Sequence, residues 1–177
     1  IEQGIREQKR KMLLAMATGT GKTLTMVNEV YRLMKSGVAR RVLFLVDRRA
    51  LAAQAVRAFA SFEAEPGLKF DKIYAVYSQR FQQADFGDED KFDPTVMPNS
   101  LLTDPKVGDA FVYVATIQRM TINLFGGEYA PFASDDEVDD DAQQLDIPIH
   151  AFDLIVADEC HRGYSGKELS VWRKTLD

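Results

Sequence analysis

Two short polar runs in this chain carry residue types and spacings that suit phosphate chemistry. The members of the first run are Thr18, Gly19, Thr20, Gly21, Lys22 and Thr23. Glycines allow backbone N–H groups to approach phosphate oxygens without a Cβ in the way, and the N-terminus of a following helix adds unsatisfied N–H groups and partial positive charge. The run therefore predicts a phosphate-binding loop, in which Lys22 reaches the β- and γ-phosphates of a nucleotide and the Thr23 hydroxyl ligates Mg²⁺.

The first run departs in one position from the strict phosphate-loop pattern. That pattern has glycine five positions before Gly21, where this chain has Met16. The shortened form Gly-x-Gly-Lys-Thr remains, with an apolar stretch before it and a helix-like segment after it. The alternative interpretation is a glycine turn between a core strand and a helix, with Lys22 in solvent.

The second run, Asp158 and Glu159, follows the apolar, β-branched stretch 152–157, which predicts a buried strand. A carboxylate at the end of a parallel strand is placed to hold Mg²⁺ in a phosphoryl-transfer site. We expect Asp158 to hold the metal directly or through water, and Glu159 to accept a proton from the attacking water or to orient it. The alternative is a solvated loop after a core strand, but each run makes the functional interpretation of the other stronger.

The elements that must position these runs form an alternating pattern of strands and helices. Apolar β-branched segments alternating with amphipathic ones favour an α/β fold with a mainly parallel sheet, which binds ligands at the carboxyl ends of its strands. The predicted strands are 11–17, 41–47, 72–77, 111–116 and 153–158, and the predicted helices are 22–35, 49–62, 117–124 and 167–175.

Two polar segments are predicted to be loop insertions rather than core. Residues 82–109 contain three prolines, and residues 126–150 contain a glycine pair and the acidic run 135–141. A run of like charges is typical of a solvated loop. A role for the acidic run as a DNA mimic or metal sink is the less favoured alternative.

Composition limits the classes of function. The 177 residues suit one domain with a core, and no apolar run approaches the roughly 20 residues of a membrane span. A single cysteine, Cys160, excludes an internal disulfide framework and fits a reducing, cytoplasmic location, and with two histidines it makes a zinc site improbable. The net charge of −5 argues weakly against nucleic acid, but clustered basic residues at 6–11, 40–41 and 48–49 allow DNA contact through a local patch.

Four stretches of the sequence resemble motifs of helicase superfamily 2. Residues 16–23 resemble the form of motif I found in this family, which accounts for Met16 at the position where the strict pattern has glycine. Residues 42–54 resemble motif Ia. Residues 113–119 resemble motif Ib, and residues 158–165 resemble a DEAH-type motif II. The chain is thus similar to the first motor lobe of this superfamily, and most similar to the restriction (R, motor) subunit of type I restriction–modification enzymes. The resemblance implies a three-layer, RecA-like P-loop NTPase lobe.

The resemblance also implies roles for residues outside the two runs. Residues of motifs Ia and Ib touch the DNA backbone in this superfamily, which suggests Arg48, Arg49 and Thr116 as phosphate contacts. Alternatives are a solvated helix start for the arginines and a helix N-cap for Thr116, a place that threonine favours. His161 would couple the nucleotide site to the DNA side, or else be a satisfied polar residue near the sheet.

Other expected motifs of the superfamily are not found in this sequence. No glutamine motif occurs before Gly4, and no motif III, second RecA-like domain or arginine finger follows motif II. In the superfamily the strand leading to motif III lies between the strands of motifs I and II. We therefore expect residues 1–177 to be a segment of a longer polypeptide, a lobe incomplete at its C-terminal end.

The sequence thus predicts the ATP- and Mg²⁺-binding lobe of an ATP-dependent double-stranded DNA translocase in a type I restriction endonuclease. Expected partners are duplex DNA, the specificity and methylation subunits, and the second motor lobe of the same chain. The nuclease site would lie elsewhere, because no Asp…Glu-x-Lys arrangement is evident. Alternatives are a strand-separating helicase, a type III restriction subunit, or a non-catalytic nucleotide-binding module.

Overall fold

A four-stranded parallel sheet forms the centre of the computed structural model, which describes residues 1–17, 19–81, 85, 94–127, 142–159 and 175–176. The strands are β1 (Arg41–Val46), β2 (Glu63–Glu65), β3 (Leu68–Lys69), β4 (Ala75–Ser78), β5 (Phe111–Thr116) and β6 (Leu154–Ala157). The helices are α1 (Glu2–Arg6), α2 (Lys22–Lys35), α3 (Arg49–Ser61), α4 (Asn99–Thr103) and α5 (Ile117–Phe125). The strand order is β4-β5-β1-β6, and β2 and β3 form a separate antiparallel hairpin.

β1 and β5 are the two central strands. They pair over six residues in parallel, from Arg41 opposite Phe111 to Val46 opposite Thr116. Every residue of β5, and all but the first of β1, is buried. Strands buried on both faces are expected to be continuous apolar runs, which explains why both were recognisable in the sequence.

The side chains of the central strands alternate between two cores. Val42, Phe44 and Val46 pack on one face with helices α2 and α3, whereas Leu43 and Leu45 pack on the other with α4 and α5. Alternation of this kind follows from the two-residue period of a strand. The result is a helix–sheet–helix arrangement, and the predicted three-layer α/β fold with a parallel sheet is confirmed.

Most of the predicted elements are observed with small shifts of their ends. α2, α3 and α5 match the predicted helices, and β1, β5 and β6 match three predicted strands. The strand predicted at 72–77 begins later, at Ala75, because Phe70–Lys72 forms a 3₁₀ turn whose Phe70 ring is buried against Phe59 and Tyr31. The β2–β3 hairpin was not predicted.

The strand predicted at 11–17 is wrong, since this segment has no regular secondary structure. Its apolar residues, which prompted the prediction, are largely exposed, with Leu13 at 78% and Leu14 at 48%. A strand requires hydrogen-bonding partners alongside it, and β6, the nearest edge of the sheet, pairs only with β1 among the described residues.

The first predicted insertion is partly structured. Val96 forms a parallel bridge with Ser78, and α4 packs Leu102 into the core at 2% exposure. In the second, residues 142–150 carry no helix or strand, but Leu145 bonds through its N–H to the Asn123 carbonyl. The acidic run at 135–141 and nearly all of the predicted helix at 167–175 lie outside the described residues. Within the described residues, none of the helices has the length and apolar character needed to cross a membrane.

Asp153 fixes the start of β6 against the start of β1. Its carboxylate accepts hydrogen bonds from the backbone N–H groups of Arg40 and Arg41, at 3.0 and 2.9 Å, and from the Arg41 guanidinium at 2.8 Å. Burial alone would raise the pKa of Asp153, but these hydrogen bonds hold that pKa below its usual value. The ionised carboxylate therefore stabilises the strand pairing that places Asp158 and Glu159.

The substitution Asp153→Asn is expected to lower the free energy of unfolding by about 1–2 kcal/mol at neutral pH, because it removes charge-assisted hydrogen bonds. The folded-state pKa is lowered, so the wild-type advantage is present above the unfolded pKa. It is lost as the pH falls through the folded pKa, below about pH 4.

Denaturant unfolding of wild type and variant across this pH range measures the effect. Asp104→Asn is the control, because Asp104 pairs with Lys106 at an exposed site. A wild-type advantage that persists unchanged at low pH would contradict the role of the Asp153 charge.

Candidate functional site

The carboxyl ends of the four parallel strands bring polar residues to one edge of the sheet. Asp47 and Arg48 follow β1, Gln79 and Arg80 follow β4, Thr116 ends β5, and Asp158 and Glu159 follow β6. The neighbouring N-terminus of α2 places Lys22 and Thr23 against the β6 end of this edge, where Lys22 contacts Glu159. The two polar runs of the sequence therefore meet in space.

The glycine loop has the backbone conformation that its glycines permit. Gly19 and Gly21 have φ values of 78° and 79°, in the left-handed region that residues with a Cβ rarely adopt. The Thr20 hydroxyl donates to the Ala17 carbonyl at 2.7 Å and closes the turn. Thr18 lies outside the described residues.

The start of α2 provides a suitable environment for an anion. Gly21 is the N-cap residue and has no side chain with which to satisfy the first N–H groups of this 14-residue helix. A Cβ placed on Gly19 or Gly21 would meet no atom within 4 Å, so the space beside both glycines is open. A helix N-terminus with free N–H groups and adjoining space fits a phosphate.

Lys22 and Glu159 form the contact that joins the two runs. Lys22 Nζ lies 2.5 Å from Glu159 Oε1, and the two side chains are only 21% and 20% exposed. The Glu159 backbone has a φ of 53°, and its N–H donates to Asp158 Oδ1 at 2.9 Å. Left-handed backbone at a residue with a side chain costs about 1–3 kcal/mol, and such strain is concentrated at functional sites.

The oxygen ligands at this edge suit Mg²⁺ in number and type. Thr23 provides a hydroxyl at the helix start, and Asp158 provides a carboxylate at the end of β6, where its N–H is held by the Leu45 carbonyl at 2.8 Å. The described residues contain no group of three or more histidine, cysteine or acidic side chains able to hold a metal. Mg²⁺ keeps several waters and takes phosphate oxygens with one or two protein ligands, so this small set fits it.

A groove of about 1700 Å³ runs between the segment 11–17 and β6. Its floor is one face of α2, formed by Lys22, Met26 and Leu33, and Glu159 lies at one end. Apolar residues on both walls are exposed, including Leu13 and, on β6, Ile155 at 43%. The groove therefore continues from Lys22 and Glu159 along the edge of β6 that no strand covers within the described part of the chain.

The two arginines predicted to contact DNA have different environments. The side chain of Arg48 is 61% exposed, and its Nε lies 3.5 Å from the Asp47 carboxylate. Arg49 is 6% exposed, and its guanidinium bonds to the Asp85 carboxylate at 2.7 Å and to the Arg80 carbonyl at 3.1 Å. Arg49 is thus a buried ion-pair residue, which the solvated interpretation does not describe, and its contact with DNA stays a prediction.

A signal for this difference exists in the sequence. Arg49 shares the helical spacing of Ala52, Ala53 and Val56, which form the buried face of α3, whereas Arg48 precedes the helix. Its partner Asp85 lies in a polar segment that gave no reason to expect a buried carboxylate.

Thr116 is 1% exposed, and its hydroxyl accepts a hydrogen bond from the Arg119 N–H at 3.2 Å. It therefore acts as the N-cap of α5, the alternative that its residue type suggested, and its hydroxyl is not presented to solvent. Gln79, which the sequence analysis missed, is also 1% exposed and accepts from the Thr116 N–H through Oε1 at 2.7 Å. His161 lies outside the described residues.

The parallel sheet, the glycine loop at the start of α2 and the Asp-Glu pair after β6 together define an α/β lobe consistent with the RecA-like class. A family model described as "Type III restriction enzyme, res subunit" matches residues 1–177, so the chain belongs to that family.

Two curated proteins show which members of this class the chain is similar to. It is 32% identical over 165 residues to the type I restriction enzyme EcoKI endonuclease subunit of Escherichia coli K12. The matched region covers 93% of this chain and 11% of that protein. It is 29% identical over 180 residues to the type I restriction enzyme EcoAI endonuclease subunit of Escherichia coli, covering 99% of this chain and 16% of that protein. The chain thus spans less than a fifth of the length of either relative. No solved structure matches it significantly.

The substitutions Gly21→Ala and Gly37→Ala separate backbone strain from phosphate binding. Both glycines have left-handed φ values with open space around them, and Gly37 lies beyond the far end of α2. Each substitution is expected to lower stability by about 1–2 kcal/mol, because a Cβ disfavours this conformation.

Only Gly21→Ala is expected to weaken binding of a phosphate-bearing nucleotide, by about tenfold, because it also shifts the N–H groups of the loop. Thermal melts and equilibrium binding to the full-length protein measure the two effects. Equal nucleotide affinity in the two variants would show that the loop does not hold phosphate.

Proposed function

We propose that residues 1–177 form the ATP-binding lobe of an ATP-dependent double-stranded DNA translocase within a type I restriction endonuclease. The observation that carries the proposal is the contact between Lys22 and Glu159 at the carboxyl edge of the sheet. It joins the glycine loop and the Asp-Glu run, which are the two halves that a nucleotide-hydrolysing site needs. The similarity to two type I endonuclease subunits supports the restriction-system context.

The lysine would bind the β- and γ-phosphates, with the N–H groups of Gly19 to Thr23 around them. Lys22 uses one of the three N–H donors of its ammonium on Glu159, which leaves two for phosphate oxygens. Glu159, held beside the phosphates by this contact, would orient water and accept its proton. The phosphate-binding lysine and the general base are therefore neighbours through one ion pair.

Thr23 and Asp158 would hold Mg²⁺, which would neutralise the negative charge that develops on the phosphate oxygens. Asp158 is suited to this role because its backbone is fixed to β1 and its Oδ1 also accepts the Glu159 N–H. The proposed metal-binding carboxylate and the proposed general base are therefore held next to each other at the end of β6.

Duplex DNA would lie on the exposed part of the carboxyl edge, with Arg48 as a phosphate contact. The specificity and methylation subunits and a second motor lobe of the same chain are the other proposed partners, and the proposed location is the cytoplasm. A type III subunit or a strand-separating helicase would use the same nucleotide site. Displacement of a triplex-forming strand from duplex DNA without duplex unwinding would favour the translocase.

The substitution Lys22→Ala in the full-length protein is expected to reduce DNA-stimulated ATP hydrolysis by at least about 100-fold, because the charge that stabilises the transferred phosphoryl group is removed. Lys35→Ala is the matched control on the same helix, about 20 Å away, where Lys35 bonds to Glu65. Steady-state phosphate release measures both. Retained ATPase activity in Lys22→Ala would contradict the proposed phosphate role.

We also propose that the lobe belongs to a longer chain, of which a further strand fills the groove between 11–17 and β6. The edge of β6 that no described strand covers offers backbone N–H and C=O groups, and the exposed Leu13 and Ile155 offer apolar contacts. A strand placed there would bond to the backbone of β6 and cover α2.

The substitution Ile155→Ala tests this placement. If a strand covers Ile155, truncation to alanine is expected to lower the free energy of unfolding by about 2–5 kcal/mol. If the side chain is exposed, the change is expected to be no more than about 0.5 kcal/mol. Thermal melting of the full-length protein should show a clear loss for Ile155→Ala and none for Val107→Ala, which alters a side chain that is 92% exposed. Equal, small effects of both substitutions would contradict the proposed strand.

A further inference from the structure

We propose that Arg80 is a further contact for DNA phosphates and that buried polar side chains on two sides fix the backbone that carries it. The inference rests on the proposed DNA-binding function and extends it to a residue outside motifs Ia and Ib. Arg80 follows β4 at the carboxyl edge and is exposed. It would bind the sugar–phosphate backbone of duplex DNA, without reading sequence.

The first fixed point is Gln79, the residue before Arg80. The Gln79 N–H donates to the Val114 carbonyl at 3.2 Å, and its side-chain Oε1 accepts from the Thr116 N–H at 2.7 Å. Gln79 is 1% exposed, so its amide replaces water as the partner of the last residue of β5. The backbone just before Arg80 is therefore tied to the centre of the sheet.

The second fixed point is Arg49, whose guanidinium links α3 to the segment that follows β4. It donates to the Arg80 carbonyl at 3.1 Å and to both Asp85 oxygens at 2.7 to 3.1 Å. Burial of an arginine costs free energy unless it is paired and hydrogen-bonded, as it is here. The buried arginine thus positions the backbone of the exposed one.

The placement of Arg80 suits a polyanion with regular spacing. β4 and β1 flank β5, and since adjacent strands lie about 4.8 Å apart, Arg80 and Arg48 leave the edge about 10 Å from one another. Double-stranded DNA carries one phosphate per about 3.4 Å of helix axis on each strand, so two cations about 10 Å apart can both meet phosphates of one strand. Two exposed cations on strand ends, one held by the Arg49 network, form a short track for one DNA strand.

The test uses the full-length protein and a linear DNA duplex of arbitrary sequence, with affinity measured at several salt concentrations. The substitution Arg80→Gln is expected to weaken binding about three- to tenfold and to reduce the slope of log affinity against log salt by about 0.9, the value for one lost phosphate contact. Arg80→Lys should retain the wild-type slope, because it keeps the charge. A loss of folding would affect both Arg80 variants, so the lysine variant separates a lost phosphate contact from a disturbed backbone.

Two further variants make the outcomes distinct. Lys72→Gln is the control and should keep the wild-type salt slope, because Lys72 lies before β4, at the opposite edge of the sheet. Lys72 is 67% exposed and lies 3.6 Å from Asp71, an environment similar to that of Arg48 beside Asp47. Arg48→Gln tests the DNA surface itself. A reduced slope in Arg48→Gln with a wild-type slope in Arg80→Gln would overturn the Arg80 inference alone. Wild-type slopes in both would overturn the proposed DNA surface as well.

Discussion

The alignment of strand ends around β1 is the constraint on which the rest of the structure depends. β1 pairs with β5 over six residues and with β6 over four, all in parallel, so the three strands finish at one edge. Asp153 sets the register on the β6 side by bonding to the start of β1. Without this register, Asp158 and Glu159 would not lie at the level of Lys22. The parallel sheet thereby brings polar residues that are far apart in the chain to one edge.

The same constraint explains which features the sequence made predictable. β1 and β5 are continuous apolar runs because both of their faces are covered, and α2 and α3 show one apolar face. These are local patterns, and a local pattern is sufficient when the surroundings agree with it. The glycine loop was predictable for a related reason, because left-handed backbone at Gly19 and Gly21 requires a particular residue type.

The unpredicted features depend on partners that local pattern does not specify. Residues 11–17 have the composition of a strand, but a strand exists only beside another, and β6 lies across a groove. Arg48 and Arg49 are adjacent residues of the same type, but Arg48 is exposed, whereas Arg49 is buried and pairs with the Asp85 carboxylate, 36 residues later in the chain. The β2–β3 hairpin joins strands of three and two residues, which are too short to show alternation. In each case a long-range contact decides the outcome.

The ion pair between Lys22 and Glu159 has a consequence for the synthesis of the protein. Its two members are 137 residues apart, and the carboxylate that anchors β6 is 113 residues from Arg40. At about 5–20 residues per second, a ribosome would take roughly 7–30 seconds to produce Glu159 after Lys22. During that interval the glycine loop and β1 would be present without β6. The edge of β1 that β6 later pairs with would be open to chaperones and to wrong strand pairing until β6 emerges.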